Sequence, residues 1–176
     1  MIEVIWHGRG GQGAFTAARL LGAAWCAEDG RYALAFPSFG PERRGAPMRA
    51  FTKLSDAPVG DRSASKRGNV VVYLDETLFD AGFARELAPG GVALVNAAHA
   101  FDDDRVRSID ANGISQAVLG RAIPNTALLA ALVPLVPGLT RESLVAAVQS
   151  NMPERLQEKN IAVIDTVLAA TEGDLL

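Results

Sequence analysis

Six residues near the N-terminus, GRGGQG from Gly8 to Gly13, could bind an anion without contributing a reactive side chain. They fit the pattern G-x-G-x-x-G and lie between an apolar run at residues 2–6 and a helix-like stretch that begins at Ala14. In a strand–turn–helix of this kind, backbone N–H groups and the helix N-terminus form a site for a phosphate or a similar anion. We call this segment the glycine loop. Its polar side chains, Arg9 and Gln12, favour a ligand or a partner.

A second segment, FPSFGPERRGAP at residues 36–47, is called the arginine loop. Its prolines restrict the backbone, so the adjacent Arg43 and Arg44 are presented on a stiffened turn. Each guanidinium group can donate two parallel hydrogen bonds to a phosphate or a carboxylate. Both loops are expected at the carboxyl ends of strands in a doubly wound sheet, where ligands collect. Arg9, Arg43 and Arg44 could then surround one anionic group.

Each loop also has a purely structural interpretation. The glycines could serve only tight packing of a helix on a strand, and the arginines could form salt bridges in a solvated turn. NAD binding is disfavoured, because a dinucleotide fold places an acidic residue at the end of the second strand to hold the ribose. The sequence has Phe36-Pro37-Ser38 at that position.

The residues that could react are few. His7 follows the first apolar run and could orient the glycine loop, although a histidine bonded within the protein is commoner. Cys26 is interpreted as a small core residue on a helix, and as the single cysteine it cannot form an internal disulfide, which fits a reducing cytoplasm. No cysteine and histidine spacing fits zinc or an iron–sulfur cluster. We therefore expect no catalytic residue and no metal ligand in this chain.

Composition narrows the class of protein further. The chain has 176 residues, 49% of them hydrophobic and 21% charged, and no apolar run reaches the ~20 residues of a membrane span. The sequence begins with a core-like strand, so we expect no secretion signal and a cytoplasmic location. The net charge of −3 argues against nucleic-acid binding through the overall field.

Apolar runs alternate with helical patterns along the chain. Strands are predicted at residues 2–6, 32–36, 48–54, 70–74, 92–95 and 106–109, and helices at 14–27, 114–119, 126–136, 141–148 and 153–170. This alternation predicts an α/β fold: a mostly parallel, doubly wound, Rossmann-like sheet with helices on both faces and a helical C-terminal portion. We expect one domain over residues 1–176.

Three motifs together resemble the gamma subunit, or gamma domain, of the 2-oxoacid:acceptor oxidoreductases, the pyruvate:ferredoxin oxidoreductase family. They are HGRGGQG after the first strand, AFPSFGPERRGAP after the second, and EKNIAVI in the last helix. The resemblance covers essentially the whole chain. It implies a complex that oxidatively decarboxylates a 2-oxoacid to an acyl-CoA and passes electrons to ferredoxin or another acceptor.

The resemblance also implies partners and a ligand. Thiamine diphosphate and iron–sulfur clusters are expected in partner subunits, while this subunit helps to bind coenzyme A and to pack the catalytic subunits. The residues expected to bind the CoA nucleotide are Gly8, Arg9, Gly10, Gly11, Gln12, Gly13, Ser38, Arg43 and Arg44. Two alternatives stay open. Both loops could be docking surfaces in the same complex, or the chain could be a stand-alone nucleotide-binding module.

Overall fold

The computed structural model describes residues 1–38 and 45–171, which form a six-stranded sheet with helices. The strands are β1 Ile2–Arg9, β2 Tyr32–Pro37, β3 Pro47–Ser55, β4 Gly68–Tyr73, β5 Leu87–Asn96 and β6 Val106–Ile109. The helices are α1 Ala14–Trp25, α2 Ala111–Leu119, α3 Asn125–Ala130, α4 Arg141–Asn151 and α5 Glu154–Thr171. Two short 3₁₀ helices, Glu76–Leu78 and Phe83–Arg85, lie between β4 and β5.

The strand order is β2-β3-β1-β4-β5-β6. β1, β4, β5 and β6 pair in parallel, whereas β3 runs antiparallel to both β1 and β2. The predicted, mostly parallel sheet is therefore confirmed, with β3 as the reversed strand. After β1 the chain forms β2 and β3 on one side of β1, and it later forms β4, β5 and β6 on the other side. The carboxyl end of β1 is therefore the topological switch point of the sheet. Ligands bind at this point in open α/β sheets.

Helices cover both faces of the sheet, but unequally. On the first face, α-helical side chains such as Leu21, Leu128 and Ile164 pack in one apolar cluster with Trp6 of β1. On the second face, the 3₁₀ residue Phe83 belongs to a smaller cluster. The connection after β1 moves to one side across the sheet, and the connection after β4 moves to the other side. Because both connections are right-handed, they lie on opposite faces of the sheet.

Helix α1 is held against the sheet by a buried polar contact. Trp6 Nε1 donates to Thr52 Oγ1 at 3.0 Å, and that hydroxyl donates to the carbonyl of Ala18 at 3.0 Å. Small residues allow the close approach, since a Cβ on Gly22 would already lie 3.4 Å from Ala33 Cβ. The start of α1, and with it the glycine loop, therefore has a fixed place above β1.

Most element ends lie within three residues of the predicted ones, but β5 begins at Leu87 instead of residue 92 and α3 ends well before residue 136. Helix α3 ends at Ala130 instead of residue 136, because Pro134 has no N–H to donate and disfavours helical backbone in the residue before it. The interpretation of Cys26 as a core residue is wrong. Cys26 is exposed, because α1 ends at Trp25 and the next residue leaves the buried face.

Candidate functional site

The glycine loop is a tight turn from β1 into α1. The N–H of Gln12 donates to the carbonyl of Arg9 at 3.0 Å, which closes a β-turn with Gly11 in its third position. Gly11 has φ +99° and Gly13, which precedes α1, has φ +84°. Left-handed backbone of this kind favours glycine. Apart from Gly11 itself and its two chain neighbours, no described residue has an atom within 4 Å of the place where a Cβ on Gly11 would sit, so that side of the turn is open.

The glycines of the loop have different structural roles. A Cβ on Gly8 would lie 3.2 Å from Ala14 Cβ and 3.5 Å from Leu74 Cβ, so Gly8 serves close packing of α1 on the sheet. Gly10 joins the two loops: its N–H donates to the carbonyl of Ala46 at 2.9 Å, and its carbonyl accepts from the N–H of Gly45 at 3.1 Å. The described end of the arginine loop thus lies against the glycine loop. Arg43 and Arg44 are outside the described residues.

Backbone donors are concentrated where α1 begins. Among the described residues, no acceptor receives the N–H groups of residues 13–16, and Gly13 provides no side-chain cap. The first turn of α1 has no acidic residue. Because the helix dipole adds about half a positive charge at this end, the arrangement suits a negatively charged group.

Arg9 and Gln12 turn back into the protein. Arg9 donates from Nε to Asp75 Oδ2 at 2.9 Å, from Nη2 to Thr77 Oγ1 at 2.8 Å and from Nη1 to the carbonyl of Gly45 at 3.3 Å. Gln12 accepts from the N–H of Arg9 at 2.7 Å and donates to Asp75 Oδ2 at 3.2 Å. Arg9 therefore braces both loops, and each of its three nitrogens already has an acceptor.

Asp75 is a site residue that the sequence analysis did not single out. Its burial raises the pKa of the carboxyl, but hydrogen bonds from Thr77, Gln12 and Arg9 outweigh burial and leave that pKa below its ordinary value. Asp75 therefore stays ionised and neutralises Arg9. The signal available in the sequence was its place directly after a buried strand, at the same edge of the sheet as the glycine loop.

Ser38 lies away from the glycine loop. It follows β2, its N–H donates to the carbonyl of Arg49 at 2.8 Å, and it is exposed. Since β3 separates β1 from β2, the end of β2 is two strand spacings, ~10 Å, from β1. The position at which a dinucleotide fold holds its ribose is therefore occupied here by the reversed strand β3.

His7 belongs to a polar cluster on the second face. Its Nε2 lies 2.6 Å from Glu86 Oε2, Arg49 Nη1 donates to Glu86 Oε1 at 2.8 Å, and the His7 ring stacks on Tyr73 with centroids 4.6 Å apart. The hydrogen bond with His7 is the main reason that the pKa of Glu86 is lowered. Burial raises the pKa of Tyr73. His7 is thus engaged on the face opposite α1.

The described parts of the chain lack two further kinds of feature. Residues 1–38 and 45–171 contain no cluster of three histidine, cysteine or acidic side chains arranged for a metal ion. Of the helices in these ranges, none combines the length and the apolar character needed to cross a bilayer.

Known proteins resemble this chain over most of its length. The family described as "Pyruvate ferredoxin/flavodoxin oxidoreductase" matches residues 3–170. Pyruvate synthase subunit PorC of Methanothermobacter thermautotrophicus is 44% identical over 163 residues, which cover 91% of this chain and 90% of that protein. The pyruvate/ketoisovalerate oxidoreductases common subunit gamma of Thermococcus kodakarensis is 38% identical, with 91% of each chain covered.

A solved structure is similar as well. The crystal structure of pyruvate oxidoreductase subunit PORC from Thermotoga maritima has a TM-score of 0.81 and 32% identity. The alignment covers 96% of this chain and 95% of that one. The similarity therefore extends from sequence to the arrangement of the sheet and helices.

Proposed function

The chain belongs to the pyruvate ferredoxin/flavodoxin oxidoreductase family as a gamma subunit of a 2-oxoacid:ferredoxin oxidoreductase, and we propose that its glycine loop holds the nucleotide part of coenzyme A. The observation that carries the proposal is the group of N–H donors at residues 13–16, which have no acceptor among the described residues and lie at the switch point of the sheet. Backbone donors at a helix N-terminus suit the phosphates of CoA.

The redox chemistry is proposed for partner subunits. An iron–sulfur cluster needs several cysteine thiolates, and Cys26 is the single cysteine of this sequence. Partner subunits that carry the clusters and thiamine diphosphate would decarboxylate the 2-oxoacid and pass its electrons to ferredoxin or another acceptor. The CoA thiol would then receive the acyl group. The single cysteine also agrees with assembly in a reducing cytoplasm.

This chain's own contribution is positioning. Gly11 and Gly13 allow the backbone to approach a phosphate closely, and the Arg9–Asp75 pair keeps the turn in shape. Fixing one end of a long ligand reduces the freedom lost when its thiol reaches the reacting carbon, which can lower a barrier by several kcal/mol. Choice of the 2-oxoacid is proposed to lie elsewhere, since the Thermococcus relative is described as common to pyruvate and ketoisovalerate enzymes.

The test is the variant Gly11→Ala in the intact complex. A Cβ at φ +99° strains the turn and obstructs the open side of the loop, so we expect the KM for CoA to rise about tenfold with kcat at saturating CoA unchanged. Gly30→Ala is the matched control, because Gly30 also has a positive φ in open space but follows the far end of α1. Steady-state titration of CoA is the measurement.

The alternative, in which the loop docks a subunit, predicts a different result. Gly11→Ala would then release subunits on gel filtration and leave the KM for CoA of the surviving complex unchanged.

Arg43 and Arg44 are proposed to hold a second CoA phosphate. Replacing both with Ala should raise the KM for CoA, and replacing both with Lys should restore part of it, because Lys keeps the charge without the bidentate geometry.

A further inference from the structure

The outer edge of β2 is an edge strand without a charged residue. β2 stands at one end of the strand order, so among the described residues no strand pairs with its outer side. Its sequence, YALAFP, contains no charged side chain, and Tyr32 is 42% exposed. Edge strands of soluble proteins usually carry charges, bulges or a covering segment that prevent pairing with another strand. An uncharged and regular edge is suited to pairing with another chain.

The ladder with β3 determines which backbone groups of β2 point outward. The N–H of Ser38 donates to the carbonyl of Arg49 at 2.8 Å and continues the unbroken antiparallel register of β2 with β3. In such a ladder the N–H and C=O groups of alternate residues point to the same side. The even-numbered residues of β2 therefore face β3, and the backbone groups of Ala33 and Ala35 point outward. Among the described residues, these outward groups have no hydrogen-bond partner.

The outward-facing row is closed at both ends. Pro37 has no N–H group. At the other end, the N–H of Arg31 already donates to the carbonyl of Glu28 at 3.4 Å. The open donors and acceptors of this edge are therefore those of Ala33 and Ala35, each of which has one N–H and one C=O.

We propose that β2 pairs antiparallel with β2 of a second copy of this chain, around a two-fold axis at Leu34. Ala33 then lies opposite Ala35 of the second copy, and each such pair exchanges two hydrogen bonds, so every outward group of both strands is paired. An axis at Ala33 or Ala35 would instead place an outward alanine opposite Arg31 or Pro37, which have no free N–H. An axis between two residues would bring opposite faces of the sheet together.

The side chains fit the same register. Phe36 stacks on Phe51 of the second-face cluster with ring centroids 5.3 Å apart, and alternation along the strand places Tyr32 and Leu34 on that face as well. Around the proposed axis, Tyr32 lies opposite Phe36 of the second copy, and Leu34 lies opposite its own counterpart. Aromatic and aliphatic pairs of this kind stabilise antiparallel strands.

Charge also favours a second copy of β2 as the partner. Arg31, the charged residue that precedes β2, is bound within its own chain. Its Nη2 lies 2.6 Å from Glu28 Oε2, its Nη1 donates to the carbonyl of Gly138 at 2.8 Å, and its guanidinium carbon lies 4.2 Å from the centroid of the Trp25 ring. Two uncharged edges therefore meet, whereas a charged partner strand would lose hydration without gaining an ion pair.

Helix α1 adds a second layer to this interface. A Cβ on Gly22 would lie 3.4 Å and 3.8 Å from the Cβ atoms of Ala33 and Ala35, and 4.0 Å from Thr52 Cγ2, so α1 lies above the boundary between β2 and β3. Across the axis, the two copies of α1 are two strand spacings apart, ~10 Å, which is the distance between packed helices. Two layers bring the contact closer to the ~800 Å² per partner of a stable interface than a strand edge alone.

The test is disulfide trapping of Leu34→Cys in a Cys26→Ser background, both in the purified chain and in the intact complex. Opposite residues that do not exchange hydrogen bonds have Cα atoms ~4.5 Å apart, a separation that a disulfide spans. After mild oxidation, we expect most of the chain to run as a dimer of itself on a non-reducing gel. Tyr32→Cys in the same background is the matched control. It is four residues, ~13 Å, from its own counterpart and should give at least tenfold less dimer.

Two further variants test the contact without a cross-link. Leu34→Lys places two like charges opposite each other, and Ala35→Pro removes an outward N–H while leaving the ladder with β3 intact. Each should raise the Kd of self-association at least tenfold in sedimentation equilibrium of the purified chain. Gln116→Lys, which adds a positive charge at an exposed position on α2, should leave that Kd unchanged.

Three results would overturn the inference. The first is no Leu34→Cys dimer in either the purified chain or the complex, and the second is as much dimer from Tyr32→Cys. The third is a cross-link from Leu34→Cys to a different subunit, which would mean that β2 pairs with a strand of that subunit. None of these readouts involves CoA, so the inference stands or fails separately from the proposed role of the glycine loop.

Discussion

At each end of the sheet's second face, a basic side chain forms an ion pair with a carboxylate. At the amino end, Lys53 of β3 is buried, with Nζ 2.6 Å from Asp61 Oδ2 and 3.4 Å from Glu3 Oε1. At the carboxyl end, Arg9 of β1 donates to Asp75 at 2.9 Å. Both pairs tie a loop to a strand, and they differ in what surrounds them.

At the amino end, hydrogen bonds within the protein satisfy the polar groups around Lys53. Ser65 Oγ donates to Glu3 Oε1 at 2.8 Å, and the N–H of Glu3 donates to Asn69 Oδ1 at 2.9 Å. At the carboxyl end the side chains satisfy one another, but the N–H groups of residues 13–16 lack acceptors among the described residues. We infer that the first network serves stability and that the second supports binding.

The largest effect is expected at the amino end. Lys53→Ala removes a buried four-carbon stem and leaves two carboxylates without their cation, so the free energy of unfolding should fall by about 3 kcal/mol. Lys53→Met keeps most of the buried volume and should lower it by about 1 kcal/mol. Urea unfolding of the purified chain measures both values.

The same two variants test whether stability and CoA binding are separated between the two ends of the sheet. Equal losses in Lys53→Met and Lys53→Ala would mean that the ion pair, and not the buried stem, stabilises the amino end. A changed KM for CoA in a complex that contains Lys53→Met would contradict the separation of stability from binding, because Lys53 lies at the other end of the sheet.

Much of the fold follows from local patterns. Strands such as residues 70–74 were predictable because parallel strands buried on both faces are apolar throughout. The glycine loop was predictable because its pattern stands between a strand and a helix. The antiparallel direction of β3 was not predictable, because an apolar run does not show which way a strand points. The position of β3 between β1 and β2 was not predictable either, because it is a property of the whole sheet.

The side-chain environment of the site was predictable only in part. Arg9 and Asp75 are 66 residues apart, and their contact depends on β1 lying beside β4. Asn125 meets Gly13 because α3 packs against α1 on the first face. Lys53 would be placed on the surface by composition alone, and its burial depends on Asp61 and Glu3 meeting it. Local sequence cannot supply such contacts.

A smaller effect is expected from pH at the carboxyl end. The hydrogen bond with His7, aided by Arg49 and opposed by burial, lowers the pKa of Glu86 below its ordinary 4.5. Because the folded pKa is the lower one, Glu86 contributes stability that is fully present above pH 4.5 and is lost as pH falls through the folded pKa. Glu86→Gln should cost about 1 kcal/mol at pH 7.

Urea unfolding between pH 7 and pH 3 checks this expectation. The stability difference between the unmodified chain and Glu86→Gln should narrow as pH falls below 4.5. Glu158→Gln, at an exposed position on α5, is the matched control and should give a small, constant difference. A Glu86→Gln difference that stays constant over this range would show that the ionised carboxylate contributes nothing beyond its hydrogen bonds.

The smallest effect, and the most direct comparison of the two ends, comes from removing one negative charge at each. Asp75→Asn keeps an oxygen that can accept from Thr77 or Arg9 but leaves the Arg9 charge without its counter-charge beside the glycine loop. If the CoA pyrophosphate lies at α1, the KM for CoA should fall roughly two- to threefold. The effect is small because the added attraction between Arg9 and the pyrophosphate acts through water and is screened by salt.

Asp61→Asn makes the same charge change at the amino end. β1 has 8 residues and spans about 26 Å, which exceeds the Debye length of ~8 Å at physiological salt, so this variant should leave the KM for CoA unchanged. Titration of CoA against intact complexes at low and high salt is the measurement, and the Asp75→Asn effect should shrink as salt rises. Equal shifts in the two variants would mean that net charge, and not the Arg9–Asp75 pair beside the glycine loop, governs CoA affinity.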